Sequence, residues 1–199
     1  MAAALFWGAG TSRGEARVFD FKDPKGVNAI AIRLDSLLEP IVGLATGVSG
    51  RVTFDPAKPE ATTGTITVAS SSIAMCHPLM TKTLHSPDWL DVEKYPSVVF
   101  AIRRVDAVKK TGEAECELRV TGDMTIKAAT REQQVVLTVT HLPGKYAERN
   151  HKGAGDLLVL RCGFSVDRRQ FDIRPDIPPI SVAYEIQLGV GIVGAYATE

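Results

Sequence analysis

Residues 113–120 read EAECELRV. Ala114, Cys116, Leu118 and Val120 fall on one side of an extended chain, and Glu113, Glu115, Glu117 and Arg119 on the other. This is the period-two pattern of a β-strand with one wet face. Residues 180–192, ISVAYEIQLGVGI, repeat it, with Ile180, Val182, Tyr184, Ile186, Leu188, Val190 and Ile192 in phase. Residues 157–166, LLVLRCGFSV, give a third case through Leu158, Leu160, Cys162, Phe164 and Val166.

Weaker alternation over residues 29–34, 50–54, 65–69, 97–105 and 135–141 brings the expected count to at least eight strands. Turn clusters separate them: Asp23-Pro24-Lys25-Gly26, the two-proline loop 55–64, Lys109-Lys110-Thr111-Gly112, Pro143-Gly144 and residues 175–179. Many one-face-apolar strands on short connections predict an all-β, antiparallel sandwich or closed barrel, and periodicity alone does not separate the two. The distinction bears on function, because an eight-stranded barrel is wide enough either to fill itself or to hold one small ligand.

The chain has 199 residues and 45% hydrophobic content, enough for one large core. Residues 16–199 are read as a single domain, and residues 1–15, with no basic leader and only a short apolar run, as a processed or disordered N-terminal segment. Twenty-three basic and twenty-three acidic side chains are spread without blocks. That distribution argues against nucleic acid or an anionic membrane surface as the main partner. No apolar run is long enough to span a bilayer. Cys76, Cys116 and Cys162 lie about forty residues apart, neither a zinc spacing nor a disulfide framework.

The alternating pattern lapses between residues 78 and 95, where a short helical segment is expected. In SPDWLDVEKY, Ser86 offers an N-cap, Pro87 a first helical position and Asp88 an acidic first turn. Just upstream, MCHPLM brings Cys76, His77 and Met80 together, with His85 further on. These soft and borderline donors suggest a metal- or haem-responsive module as the alternative function, although the Cys-x-x-Cys-His haem pattern is absent. No nucleophile-elbow serine, phosphate loop or His-Glu-x-x-His motif is present, and the chain is read as a non-enzyme. His141 and His151 fall in an apparent polar loop, residues 141–156.

Residues 86–100, SPDWLDVEKYPSVVF, resemble the signature of the YceI-like family of lipocalin-like proteins associated with polyisoprenoid binding. Leu84, Ser86, Asp88, Trp89, Asp91, Tyr95, Pro96 and Phe100 match that pattern. GVSGRVTFDP (residues 47–56), TGDMTIKAAT (121–130) and VDRRQFDI (166–173) are similar to further family segments. The chain departs from the pattern at Thr81, Thr83 and His85, where the family has Asp, His and Arg, and at Asp172, which replaces a glycine.

The resemblance implies an antiparallel lipocalin-like β-barrel of about eight strands. Its apolar lumen would hold an isoprenoid or similar long-chain amphiphile, such as an isoprenoid quinone or polyprenyl compound, with no other cofactor. Candidate contacts are Leu84, Trp89 and Leu90 near the mouth, and Val98, Phe100, Ile102, Leu118, Leu160, Phe164, Tyr184 and Ile186 on strands. Arg168 and Phe171 join them from the late motif. Taken singly, each strand position is better read as ordinary core, because every half-buried strand alternates in this way, and the lumen reading rests on the set. The family also implies a periplasmic or secreted location, and a homodimer through a sheet edge or the barrel mouth fits the pattern.

Overall fold

The computed structural model describes residues 15–198, so all of the predicted N-terminal segment but Glu15 lies outside the described residues. Eleven strands are formed: β1 Arg17–Asp20, β2 Ala29–Asp35, β3 Pro40–Ala45, β4 Val48–Phe54, β5 Thr63–Ala69, β6 Ile73–Met75, β7 Ser97–Lys110, β8 Glu115–Ile126, β9 Ala129–Leu142, β10 Ala154–Asp167 and β11 Glu185–Thr198. Helix α1 spans Pro78–His85, and a single turn, α2, spans Tyr146–Asn150. No helix among the described residues is long and apolar enough to cross a membrane.

Every strand pairing is antiparallel, and β1-β4-β5-β7-β8-β9-β10-β11 form a ring of eight strands that closes where Asp20 of β1 meets Ala195 of β11. The barrel expected from the resemblance is therefore the one observed. Strands β2, β3 and β6 extend the wall from the first half of β11, where Gln187–Gly191 pair with Ala29–Arg33. Strand β11 thus changes partner midway along its length.

Asn28 bridges that change. Its side-chain Oδ1 accepts from the Val193 N–H at 2.9 Å, and its Nδ2 donates to the carbonyls of Val193 and Phe21 at 3.0 and 3.2 Å. The amide supplies one rung of ladder where the backbone has no strand partner, and it does so only 2% exposed. Buried backbone groups need such partners, which accounts for a fully buried asparagine here.

Two register shifts between β7 and β8, at Ile102/Arg104 and Val105/Ala107, add the local twist that curls a long hairpin into a barrel wall. Gly122 of β8 lets this wall close up. A Cβ there would come within 2.4 Å of the Ala101 carbonyl oxygen and 2.7 Å of the Phe100 ring.

One end of the barrel is solid. Phe19, Phe21, Leu118, Val120, Val139 and Leu158 are all but inaccessible and fill it. Over them His141 meets Phe19 edge-on at 5.9 Å and hydrogen-bonds Asp156 at 3.0 Å. Asp156 also accepts from the Gly144 N–H at 2.9 Å and pairs with Arg17. His141 is accordingly a partly buried residue near the end of β9, a correction to its reading as a loop residue. The apparent loop 141–156 is shortened by the ends of β9 and β10 and by α2.

The helix falls within the expected residues 78–95, but Ser86 is not its N-cap. His77 caps α1, its Nδ1 accepting from the Leu79 N–H at 3.2 Å with Pro78 at the first helical position, whereas Ser86 ends the helix. After Ser86 the chain makes tight turns, with Asp91 at φ 50° and the N–H groups of Trp89 and Asp91 both donating to the Ser86 carbonyl. Two Ser/His-Pro start signals compete within ten residues, and only the first is followed by a helix-compatible run.

Candidate functional site: an apolar lumen under a helical cover

Above the solid end the barrel is hollow. A cavity of about 130 Å³ is enclosed by Ile66, Phe100, Ile102, Leu160, Phe164 and Val190, among other apolar side chains. A larger one of about 350 Å³ continues toward the other end, between α1, Trp89, Leu90, Ile173 and the strand residues Ile41 and Ile186. Ile32, Ile73, Val98, Ile126 and Leu188 line both, so the two cavities adjoin inside the barrel and together make its lumen. Glu39, Leu79 and Thr83 are the exposed members of the lining, which puts the mouth between the β2–β3 turn and α1.

The alternation seen in the sequence produces this lumen. Ile186, Leu188, Val190 and Ile192 of β11 alternate with Glu185, Gln187, Gly189 and Gly191, and the apolar set points inward. Side chains such as Phe100, Cys162 and Phe164 are only half-buried although they line the interior, because part of their surface faces the cavity. Burial pushes the Cys162 thiol up to about 12, and it also raises Cys116, so neither is a thiolate near neutral pH.

The thirteen residues expected at the site divide by depth. Leu84, Trp89, Leu90, Val98, Arg168 and Ile186 line the larger cavity, and Phe100, Ile102, Leu160 and Phe164 the smaller, with Val98 shared. Leu118 lies in the solid end, 0% exposed, and lines neither cavity. Phe171 is buried beneath a polar surface cleft. Tyr184 stands just before β11, sandwiched by guanidinium groups, with Arg168 5.0 Å and Arg169 3.9 Å from its ring. The strand read from Ile180 begins only at Glu185 because the carbonyls of Val182 and Ala183 are taken by Arg168.

Arg168 organises the cover. It is 1% exposed, and its five N–H donors all go to backbone carbonyls of the 173–183 loop. Nε donates to Ala183 at 3.0 Å, Nη1 to Ile173 at 2.9 Å and also to Arg174, and Nη2 to Ile177 at 2.7 Å and Val182 at 2.9 Å. Burial lowers its pKa, with Tyr184 and Asp167 opposing that effect, and an arginine remains charged regardless. The guanidinium fork is thus saturated by the loop that closes over the lumen and has no donor left for a ligand.

The donors of the Met75–Met80 stretch are engaged otherwise. His77 caps α1, His85 Nε2 donates to the Ile73 carbonyl at 2.7 Å, Met75 and Met80 line the cavity, and Cys76 is exposed. Among the described residues no group of three or more His, Cys, Asp or Glu side chains converges on a metal position. The feature that sequence reading missed is Glu39, which sits in a turn without a motif and becomes a wall residue only through the fold.

The YceI-like domain model matches residues 23–193. A UPF0312 protein of Ectopseudomonas mendocina is 28% identical over 195 residues, covering 94% of each chain. Among solved structures, BcnA of Burkholderia cenocepacia superposes with a TM-score of 0.66 at 21% identity, over 83% of this chain and 95% of that one. A polyisoprenoid binding domain of Saccharophagus degradans, implicated in plant cell wall breakdown, superposes with a TM-score of 0.63 at 8% identity, over 92% of this chain and all of its own. A family model that spans residues 23–193, most of the chain, establishes that this protein belongs to the YceI-like domain family.

Proposed function

We propose that the protein binds a single long-chain lipid, an isoprenoid or similar amphiphile, with its tail along the barrel lumen and its headgroup at the Glu39–Thr83 mouth. The observation that carries this reading is the pair of adjoining apolar cavities inside the barrel, the larger of which alone, about 350 Å³, is the size of a small-molecule site. Each methylene-sized group buried there is favoured by about 0.8 kcal/mol, so a long tail binds without any specific polar contact. The polyisoprenoid binding domain of Saccharophagus degradans shares the fold, which supports this choice of ligand class.

The protein acts on this reading as a carrier or sequestering protein without catalysis, in a periplasmic or secreted location. Nothing in the arrangement of Cys76, His77 and Met80 favours the metal reading. Gentle purification followed by solvent extraction and mass analysis tests the proposal. A defined apolar compound at about one per chain is the expected result; protein that carries no lipid and takes up none when polyprenyl alcohols are added would refute it.

A further inference from the structure

The polar groups of the larger cavity are few, and their availability is unequal. Its lining includes two charged side chains, Glu39 and Arg168, together with the hydroxyl of Thr83. Arg168 is buried and its five donors are consumed by the carbonyls of Ile173, Arg174, Ile177, Val182 and Ala183. The next cation along the loop, Arg174, is held by Asp176 at 2.9 Å. Glu39 is the reverse case. It is exposed at the mouth, and no hydrogen bond or ion pair engages its carboxylate among the described residues. Among the residues that line the cavity, a headgroup arriving at the mouth therefore meets a free acceptor of negative charge and no free cationic donor.

Resting on the lumen reading above, we propose that Glu39 makes the site selective by headgroup, taking amphiphiles whose head donates hydrogen bonds or carries positive charge and rejecting carboxylate and phosphate heads. An ammonium, amide or hydroxyl donates to the Glu39 carboxylate, and Thr83 across the mouth supplies a hydroxyl that serves a neutral head in either role. An anionic head instead brings like charge next to Glu39 while Arg168 offers it no N–H. Because the mouth is open to water, the discrimination is modest and screened by salt.

Calorimetric titration of delipidated protein with decylamine, decanol and decanoate, at low and at moderate salt, tests this directly. The expected order is amine, alcohol, carboxylate, each step about three- to fivefold at low salt, with the amine-to-carboxylate ratio shrinking as salt rises. Glu39→Gln should bring amine and alcohol to similar affinity and improve decanoate, while leaving the alcohol nearly unchanged. Equal binding of the three by the native protein, or a ratio that Glu39→Gln does not move, overturns the headgroup assignment and leaves the lumen standing. Failure of all three to bind overturns the lumen reading and this proposal together.

Discussion

Arg168 shows how one residue converts a loop into a lid. A buried cation that makes no ion pair is costly unless dipoles replace its water, and here five carbonyl dipoles do so. Arg168→Lys keeps the charge but not the fork, and leaves at least two carbonyls unpaired. The expected loss is about 2–4 kcal/mol in denaturant unfolding, with amide exchange of the 173–183 loop accelerating first. An unchanged exchange pattern in that loop would show that the lid is held by other contacts.

Asp156 acts on the same scale at the opposite end. Burial opposes its ionisation, but the Gly144 N–H, His141 and Arg17 outweigh that and hold its carboxyl below the ordinary range. A carboxyl whose folded pKa is depressed contributes stability above its unfolded pKa, near 4, and loses it as pH falls through the folded value. Stability should therefore decline below about pH 4, and Asp156→Asn should flatten this part of the acid limb while lowering stability at neutral pH. The cysteines give a simpler check: exposed Cys76 should alkylate in the native protein, and Cys116 and Cys162 only after unfolding.

Among the elements, the strands divide into those that face the lumen and those that fill the solid end, and substitutions should separate the two. Trp89 lies over the larger cavity from the turns after α1. Trp89→Ala should weaken lipid binding about tenfold or more, since loss of a large aromatic contact is worth roughly 2 kcal/mol, with a smaller effect on stability. Leu118→Ala should do the opposite, costing about 3 kcal/mol of stability while leaving affinity nearly unchanged. Lipid titration paired with urea unfolding reads both effects, and a Leu118→Ala protein that folds normally but cannot bind would move the site boundary deeper. Asn28→Ala should cost about 2 kcal/mol by leaving the Val193 backbone unpaired at the seam.

The same division explains what could be read in the sequence. Strands β8 and β11, and β10 from Leu160 onward, have one apolar and one largely polar or small face, so their alternation is visible. Strand β3 escaped because Val42 and Leu44, on its outer face, are exposed apolar residues beside inward Ile41, which erases the alternation. Strands β1 and β6, of four and three residues, are too short to show a period. The lumen walls were legible as a set, but depth was not: Leu118 and Phe100 look alike in sequence, and only closure of the ring puts one in the solid end and the other beside the cavity. Arg168 was legible as a motif residue, whereas its partners are loop carbonyls that no side-chain pattern records.

For the whole molecule, the barrel is solid at the Phe19–Leu118 end and hollow toward α1, with a lumen that opens beside Glu39. On the proposed reading this asymmetry would orient a ligand, its tail toward Phe100 and Leu160 and its head at the mouth. The most direct test is a crystal structure of the protein loaded with a polyprenyl alcohol. The account predicts continuous density from Glu39 past Trp89 to Phe100, with Arg168 still bound to its loop carbonyls. Density on the outer surface, or a lumen that stays empty at saturating ligand, would contradict it.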